Sequence, residues 1–148
     1  MKAAILAVLA GVCWGVGEFF TKQVLHSGRV GPITAIAVRS TVALPVLWVV
    51  YFLVARRAGE PADWPAAGAG TLAKLVLGSG LVAGAFGMLC FYGALHVGPI
   101  SKVKPIAFTV APCVAVLLGW LALGEPMSVR KAAAVAMIVG GVVLLTRE

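Results

Sequence analysis

The chain has 148 residues, of which 61% are hydrophobic and 11% charged, with a formal net charge of +7. A soluble domain is about half apolar and a quarter charged, so this balance excludes an ordinary water-soluble fold. The basic excess is not a nucleic-acid footprint either: most of the twelve Lys and Arg residues stand at or near the ends of apolar stretches, with no basic stripe interleaved with aromatics.

Five apolar stretches fill nearly all of the sequence: Ala3–Leu25, Ile33–Ala55, Leu72–Leu95, Pro99–Leu123 and Val129–Thr146. A bilayer core is about 30 Å thick and an α-helix rises about 1.5 Å per residue, so about 20 apolar residues cross it. The predicted fold is all-α and integral to the membrane, a single domain over residues 1–148 with the lipid bilayer as its solvent. Any chemistry must then sit between helices.

In the first stretch, Lys2 followed by Ala3–Val12 resembles a signal peptide, and Cys13 suggests a lipoprotein site. Val12 is not the small residue such a site needs, and the apolar pattern continues through Phe19 and Phe20, so a retained helix is expected. Glu18 and Lys22 interrupt it four residues apart, with Trp14 one turn earlier on the same face. A charge at the bilayer centre costs about 2.5–3.5 kcal/mol on insertion scales and usually faces a cavity or a partner. Two readings stand here. One is a local ion pair, worth a few tenths of a kcal/mol when exposed. The other is a polar strip lining a central pathway, with Glu18 taking a proton or a cation.

After a turn at His26–Pro32, the second stretch carries Arg39 six residues in and Pro45 near its middle. Arg39 either snorkels to the headgroups or binds an anion. The longest connection, Arg56–Gly70, holds Arg56, Arg57, Glu60, Asp63 and two prolines and is too short for a domain. The third stretch is free of charge from Leu75 to Leu95. Its Gly80 and Gly84, like Gly11 and Gly15 in the first, have the spacing of helix-packing seams.

His96–Pro99 leaves room only for a tight turn, after which Lys102 and Lys104 pose the same ambiguity as Arg39. Pro105 and Pro112 each remove a backbone hydrogen bond and predict a bent fourth helix. At Gly124–Ser128, Pro126 stops one helix and Ser128 is placed to cap the next. Ala132, Ala136 and Gly140 line a small-residue face of the fifth helix, a candidate dimer contact.

Cys13, Cys90 and Cys113 fall singly in three different stretches, and neither His26 nor His96 has a ligand partner near it in sequence. That pattern supports neither a disulfide framework nor a metal site. There is no paired-carboxylate motif, nucleophile elbow or phosphate loop, so no enzymatic activity and no cofactor are expected.

Five crossings put the termini on opposite sides. Lys2, Arg56, Arg57, Lys74, Arg130 and Lys131 fall on the N-terminal side, against Lys22, Arg29, Lys102, Lys104 and Arg147 on the other. Six against five gives little preference under the positive-inside rule, as in a protein inserting both ways round. If Lys22, Lys102 and Lys104 are buried in the fold, the balance becomes six to two and the N-terminus is cytoplasmic.

Trp14-Gly15 followed by Lys22, and Arg39 in the second stretch, resemble the EamA-type repeat of the drug/metabolite transporter superfamily. So do Pro105–Pro112, Leu123-Gly124-Glu125-Pro126 and the closing Gly140-Gly141-Val142-Val143-Leu144-Leu145. The resemblance covers essentially the whole chain, and Glu18 is the departure from its pattern. It implies a five-helix repeat with Gly15, Pro105, Pro112, Gly124, Glu125 and Pro126 as structural motif residues. It also implies a transporter working by alternating access, with larger members built from two such repeats, the second inverted. A single odd-numbered repeat achieves that symmetry with two copies inserted oppositely, or with a related second chain.

The expectation is therefore an antiparallel homodimer in a bacterial inner membrane, moving a small metabolite or drug-like cation. Trp14, Glu18, Lys22, Arg39 and Lys104 would lie along the pathway. A half-transporter needing a paralogous partner, with a lipid-linked substrate as one example, and a non-transporting membrane accessory protein are the alternatives.

Overall fold

The computed structural model describes residues 2–55, 57, 59 and 64–147; Arg56, Glu60 and Asp63 of the longest connection lie outside the described residues. Helix α1 spans Lys2–His26 and α2 spans Pro32–Val50. A wider turn over Tyr51–Ala55 prolongs α2. Helix α3 (Ala69–Ala73) continues through a π-helical segment, Lys74–Phe86, into α4 (Gly87–Val97). Then come α5 (Ile100–Leu123) and α6 (Val129–Thr146). Five of the resulting helices are long and apolar enough to cross a membrane: Lys2–His26, Pro32–Val54, Ala69–Val97, Ile100–Leu123 and Val129–Thr146. The fold is all-helical, with boundaries within a few residues of the apolar stretches. Backbone polar groups in lipid must pair within their own segment, and the helix does this without outside help.

The third crossing departs from regular geometry. Its hydrogen bonds reach five residues back rather than four over Lys74–Phe86, far beyond a single-turn bulge. The sequence there is weakened as a helix by glycine, with Gly78, Gly80 and Gly84 inside the segment and Gly87 just after it. The wider turn brings carbonyls toward the missing side chains: a Cβ on Gly80 would sit 3.5 Å from the Leu75 oxygen.

Two units divide the chain, Met1–His96 and Val97–Glu148. In the first, Gly28 at φ +67° ends α1 after its last turn, a backbone state only glycine adopts freely. The Ser27 and Gly28 N–H groups return to the carbonyls of Val24 and Leu25. The buried apolar side chains here are Leu25, Tyr92 and Leu95. Large apolar residues such as Leu6, Leu47 and Phe86 are exposed, as side chains dissolved in lipid would be. Trp48 stacks on Phe52, and the Trp64 indole N–H donates to the Tyr51 hydroxyl at 3.1 Å. Below that aromatic group, between α2 and the π-helical segment, runs an open apolar groove of about 1140 Å³.

The second unit is a helical hairpin. Gly124 at φ +68° turns the chain, and its own N–H and that of Glu125 both return to the Gly119 carbonyl. The Glu125 carboxylate lies over Gly119 so closely that a Cβ there would be 3.1 Å from Oε2. Ser128 caps α6 as anticipated, its Oγ accepting from the Lys131 N–H at 3.1 Å. The Lys131 ammonium donates to the Pro126 oxygen at 3.2 Å and lies 3.8 Å from Glu125. That exposed ion pair contributes little, so the glycine turn and the cap hold the junction.

Within each unit, the glycines read as packing seams make no close helix contact. A Cβ on Gly11, Gly15, Gly140 or Gly141 would meet nothing within 4 Å. Those on Gly80 and Gly84 would meet only carbonyls of their own helix. Close helix approach is what gives such spacing its energetic meaning, and none occurs at these positions.

Candidate functional site

The charges that interrupt the apolar stretches set the site. On α1, Glu18, Thr21, Lys22 and Leu25 follow the i, i+3, i+4, i+7 spacing of one helix face. Glu18 is 4% exposed and Leu25 3%, in a helix that is otherwise mostly open to its surroundings. Thr21 and Lys22 are half-buried. This face meets α4. The Lys22 ammonium donates to the main-chain oxygen of Leu95 at 2.6 Å, and the Thr21 hydroxyl oxygen lies 3.5 Å from the Tyr92 hydroxyl.

Leu95 is in the last turn of α4, where carbonyls lose their in-helix donors and the helix dipole presents its negative end. The N–H that a continuing helix would offer from position 99 does not exist, because that residue is proline. Lys22 supplies a charged donor instead.

Tyr92 is the centre of the arrangement and has no exposure at all. From α2, the Arg39 Nη1 donates to its hydroxyl oxygen at 2.7 Å. The guanidinium carbon lies 5.9 Å from the ring centroid, at the limit of a useful cation–π contact, so the hydrogen bond is the interaction that counts. The bond also fixes where Arg39 points. Its head group points inward to a neighbouring helix, at a position about 10 Å along α2 from its start, rather than outward to lipid headgroups.

The Thr21 hydroxyl donates to the Gly17 carbonyl at 3.2 Å, and 3.5 Å is long for a bond between hydroxyls. Tyr92 therefore receives one strong, charge-assisted bond and keeps its own O–H proton loosely engaged.

These groups share one end of the helices of the first unit. Thr21 and Lys22 lie near the C-terminus of α1, Arg39 in the first half of α2, and Tyr92 and Leu95 near the C-terminus of α4. The chain enters α2 on the side where it leaves α1 and α4, so the polar cluster sits toward the face opposite the N-terminus. Trp14, one turn before Glu18, is 50% exposed on the same helix.

Of the residues anticipated as pathway-lining, the structure thus joins Lys22 and Arg39 through α4 and buries Glu18 beside Lys22 on α1. Lys104 belongs to the second unit, half-buried, with its ammonium 4.9 Å from the Phe108 ring one turn on. Pro105 and Pro112 lie inside α5, which runs through both. Gly124, Glu125 and Pro126 form the turn between α5 and α6 described above. Gly15 is half-buried in α1.

Sequence reasoning missed Tyr92, Thr21 and the Leu95 carbonyl. The only signal for Tyr92 was a hydroxyl near the end of a charge-free stretch. Among the described residues, no group of His, Cys, Asp and Glu side chains is placed to hold a metal ion.

No curated protein and no solved structure matches the chain. Residues 1–147, however, match the profile of the EamA-like transporter family. Five membrane-crossing helices, the glycine-turned junction at Leu123-Gly124-Glu125-Pro126 and a match running over nearly its full length agree: this multi-pass membrane protein belongs to the EamA-like transporter family.

Proposed function

We propose that this protein is a small-solute transporter of a bacterial inner membrane, carrying a metabolite or drug-like compound by alternating access as an antiparallel homodimer. Glu18 would couple the movement to protons. The observation that carries the reading is the buried carboxylate of Glu18 on the face whose Thr21 and Lys22 meet α4, with Arg39 reaching the same helix from α2. Charges cost energy inside a bilayer and persist where they pair or where something polar passes.

The position of this cluster at one end of the helices supports the oppositely inserted pair. A twofold axis in the membrane plane would place a second cluster at the other end, one facing each side. The near balance of basic residues on the two sides is compatible with insertion both ways round. The small-residue face of α6, with Ala132, Ala136 and Gly140, is the surface on which a second copy would pack.

The test is counterflow of radiolabelled amino acids, sugars and organic ions in liposomes containing the purified protein, with and without a proton gradient. At least one of Glu18→Gln, Lys22→Ala and Arg39→Ala should abolish flux while membrane abundance stays intact. Silence of every solute, even with a paralogous partner chain added, would sink the transport reading.

A further inference from the structure

Among the described residues, Arg39 meets no carboxylate; its one hydrogen-bond partner is the Tyr92 hydroxyl. A guanidinium carries five N–H donors in a planar fork. One is spent on Tyr92, which leaves the remaining donors inside a membrane-spanning segment, where unsatisfied polar groups are expensive. Tyr92, fully buried, holds that fork in place. Arginine can only donate, so the tyrosine oxygen accepts from it and the phenolic proton is directed to the Thr21 side, whose own hydroxyl proton goes to the Gly17 carbonyl. Its nearest hydroxyl neighbour, Thr21, is 3.5 Å away. The half-buried guanidinium thus keeps donors to spare where α1, α2 and α4 meet, with one arm of its fork fixed by the buried Tyr92 hydroxyl.

Charge points the same way. Glu18, Lys22 and Arg39 are one carboxylate against two cations, leaving an excess of one positive charge. The Lys22 ammonium, moreover, is engaged with the Leu95 carbonyl. Donors without acceptors, an excess positive charge and low-dielectric surroundings select an anion with more than one oxygen.

We infer that Arg39 heads an oxyanion subsite: its guanidinium fork, oriented by the buried Tyr92 hydroxyl, takes the carboxylate or phosphate oxygens of a small organic anion. This deepens the transport reading and rests on it, since it makes the solute anionic rather than a cation. A lipid phosphate offers the same chemistry, so the test must separate the two sources.

The experiment uses the full chain, purified in maltoside micelles and separately in phosphatidylglycerol nanodiscs, with radiolabelled benzoate as probe. Inorganic phosphate, tetraphenylphosphonium and glucose serve as competitors. Liposome counterflow of the same four compounds runs in parallel. Benzoate should bind in both media and be displaced by phosphate but not by tetraphenylphosphonium or glucose. Arg39→Gln should weaken it by about tenfold or more, as loss of a charged hydrogen-bond donor does. Arg39→Lys, which keeps the charge but loses the fork, should fall between, and Tyr92→Phe, which keeps the ring volume, should cost several-fold. These milder variants decide the matter if Arg39→Gln does not fold.

Benzoate binding in micelles that phosphatidylglycerol abolishes would assign the anion to the lipid and overturn a solute anion as occupant. Counterflow of tetraphenylphosphonium or glucose, with no benzoate binding, would overturn the subsite while leaving transport standing. Benzoate binding without counterflow of any compound would retain the subsite and remove the transport reading.

Discussion

The Lys22 ammonium on α1 donates to the Leu95 carbonyl on α4 at 2.6 Å, in the turn where Pro99 withholds the next helical donor. A lysine that composition alone marks as a misplaced charge is therefore also a C-terminal cap for another helix. The role is structural in the first instance, and it ties together the two helices that carry Glu18 and Tyr92.

Replacing Lys22 by Met should then destabilise the protein whether or not it transports anything. Hydrogen bonds to charged groups contribute about 1.5–3 kcal/mol, and a chain of this size loses about 2–4 °C of Tm for each kcal/mol. Thermal unfolding in detergent should show a drop of roughly 3–12 °C. An unchanged Tm would show that the contact does not hold the helices together.

Arg39 and Tyr92 should be energetically coupled. A double-mutant cycle with Arg39→Gln and Tyr92→Phe, read by unfolding in detergent, should give a coupling of about 1–3 kcal/mol. Additive effects would mean that the 2.7 Å bond contributes nothing the single changes do not already remove.

Glu18→Gln keeps size and removes the charge. If the buried carboxylate carries protons, the variant should sit in the membrane at normal abundance and lose any acceleration of flux by a proton gradient. A variant that still responds to the gradient would move coupling to another group.

The junction of α5 and α6 should be intolerant of side chains. Gly124→Ala places a Cβ residue at φ +68°, costing about 1–2 kcal/mol. At Gly119 a new methyl would meet the Glu125 carboxylate at 3.1 Å, which a flexible side chain can partly relieve. Membrane abundance should fall more for Gly124→Ala than for Gly119→Ala; the reverse order would show that the carboxylate contact, not the left-handed turn, sets the junction.

Insertion both ways round has its own signature. Reporter tags at the two termini should each be found on both sides of the membrane in comparable amounts. Adding basic residues beside the Lys2 end should lock one orientation and lower flux, with recovery when an oppositely biased copy is co-expressed. A single orientation that remains fully active would exclude the inverted pair.

The crossings were readable from composition and spacing because lipid leaves a spanning segment one economical way to satisfy its backbone, and that way needs a run of about 20 apolar residues. Glu18, Lys22 and Arg39 were equally visible, since a charge within such a run is costly enough to demand a reason. The helix junction at Gly124–Ser128 and the Ser128 cap were legible too, being local chemistry written in neighbouring residues. What the letters withheld was which way each helix faces. Lipid is as apolar as leucine, so hydropathy does not distinguish a side turned to the bilayer from one turned to another helix. Only the tertiary arrangement directed Arg39 inward to Tyr92 rather than outward to headgroups, and gave Lys22 a main-chain oxygen as its acceptor. A carbonyl has no letter of its own, and a neutral tyrosine in an uncharged stretch declares its role only when an arginine from another helix arrives beside it.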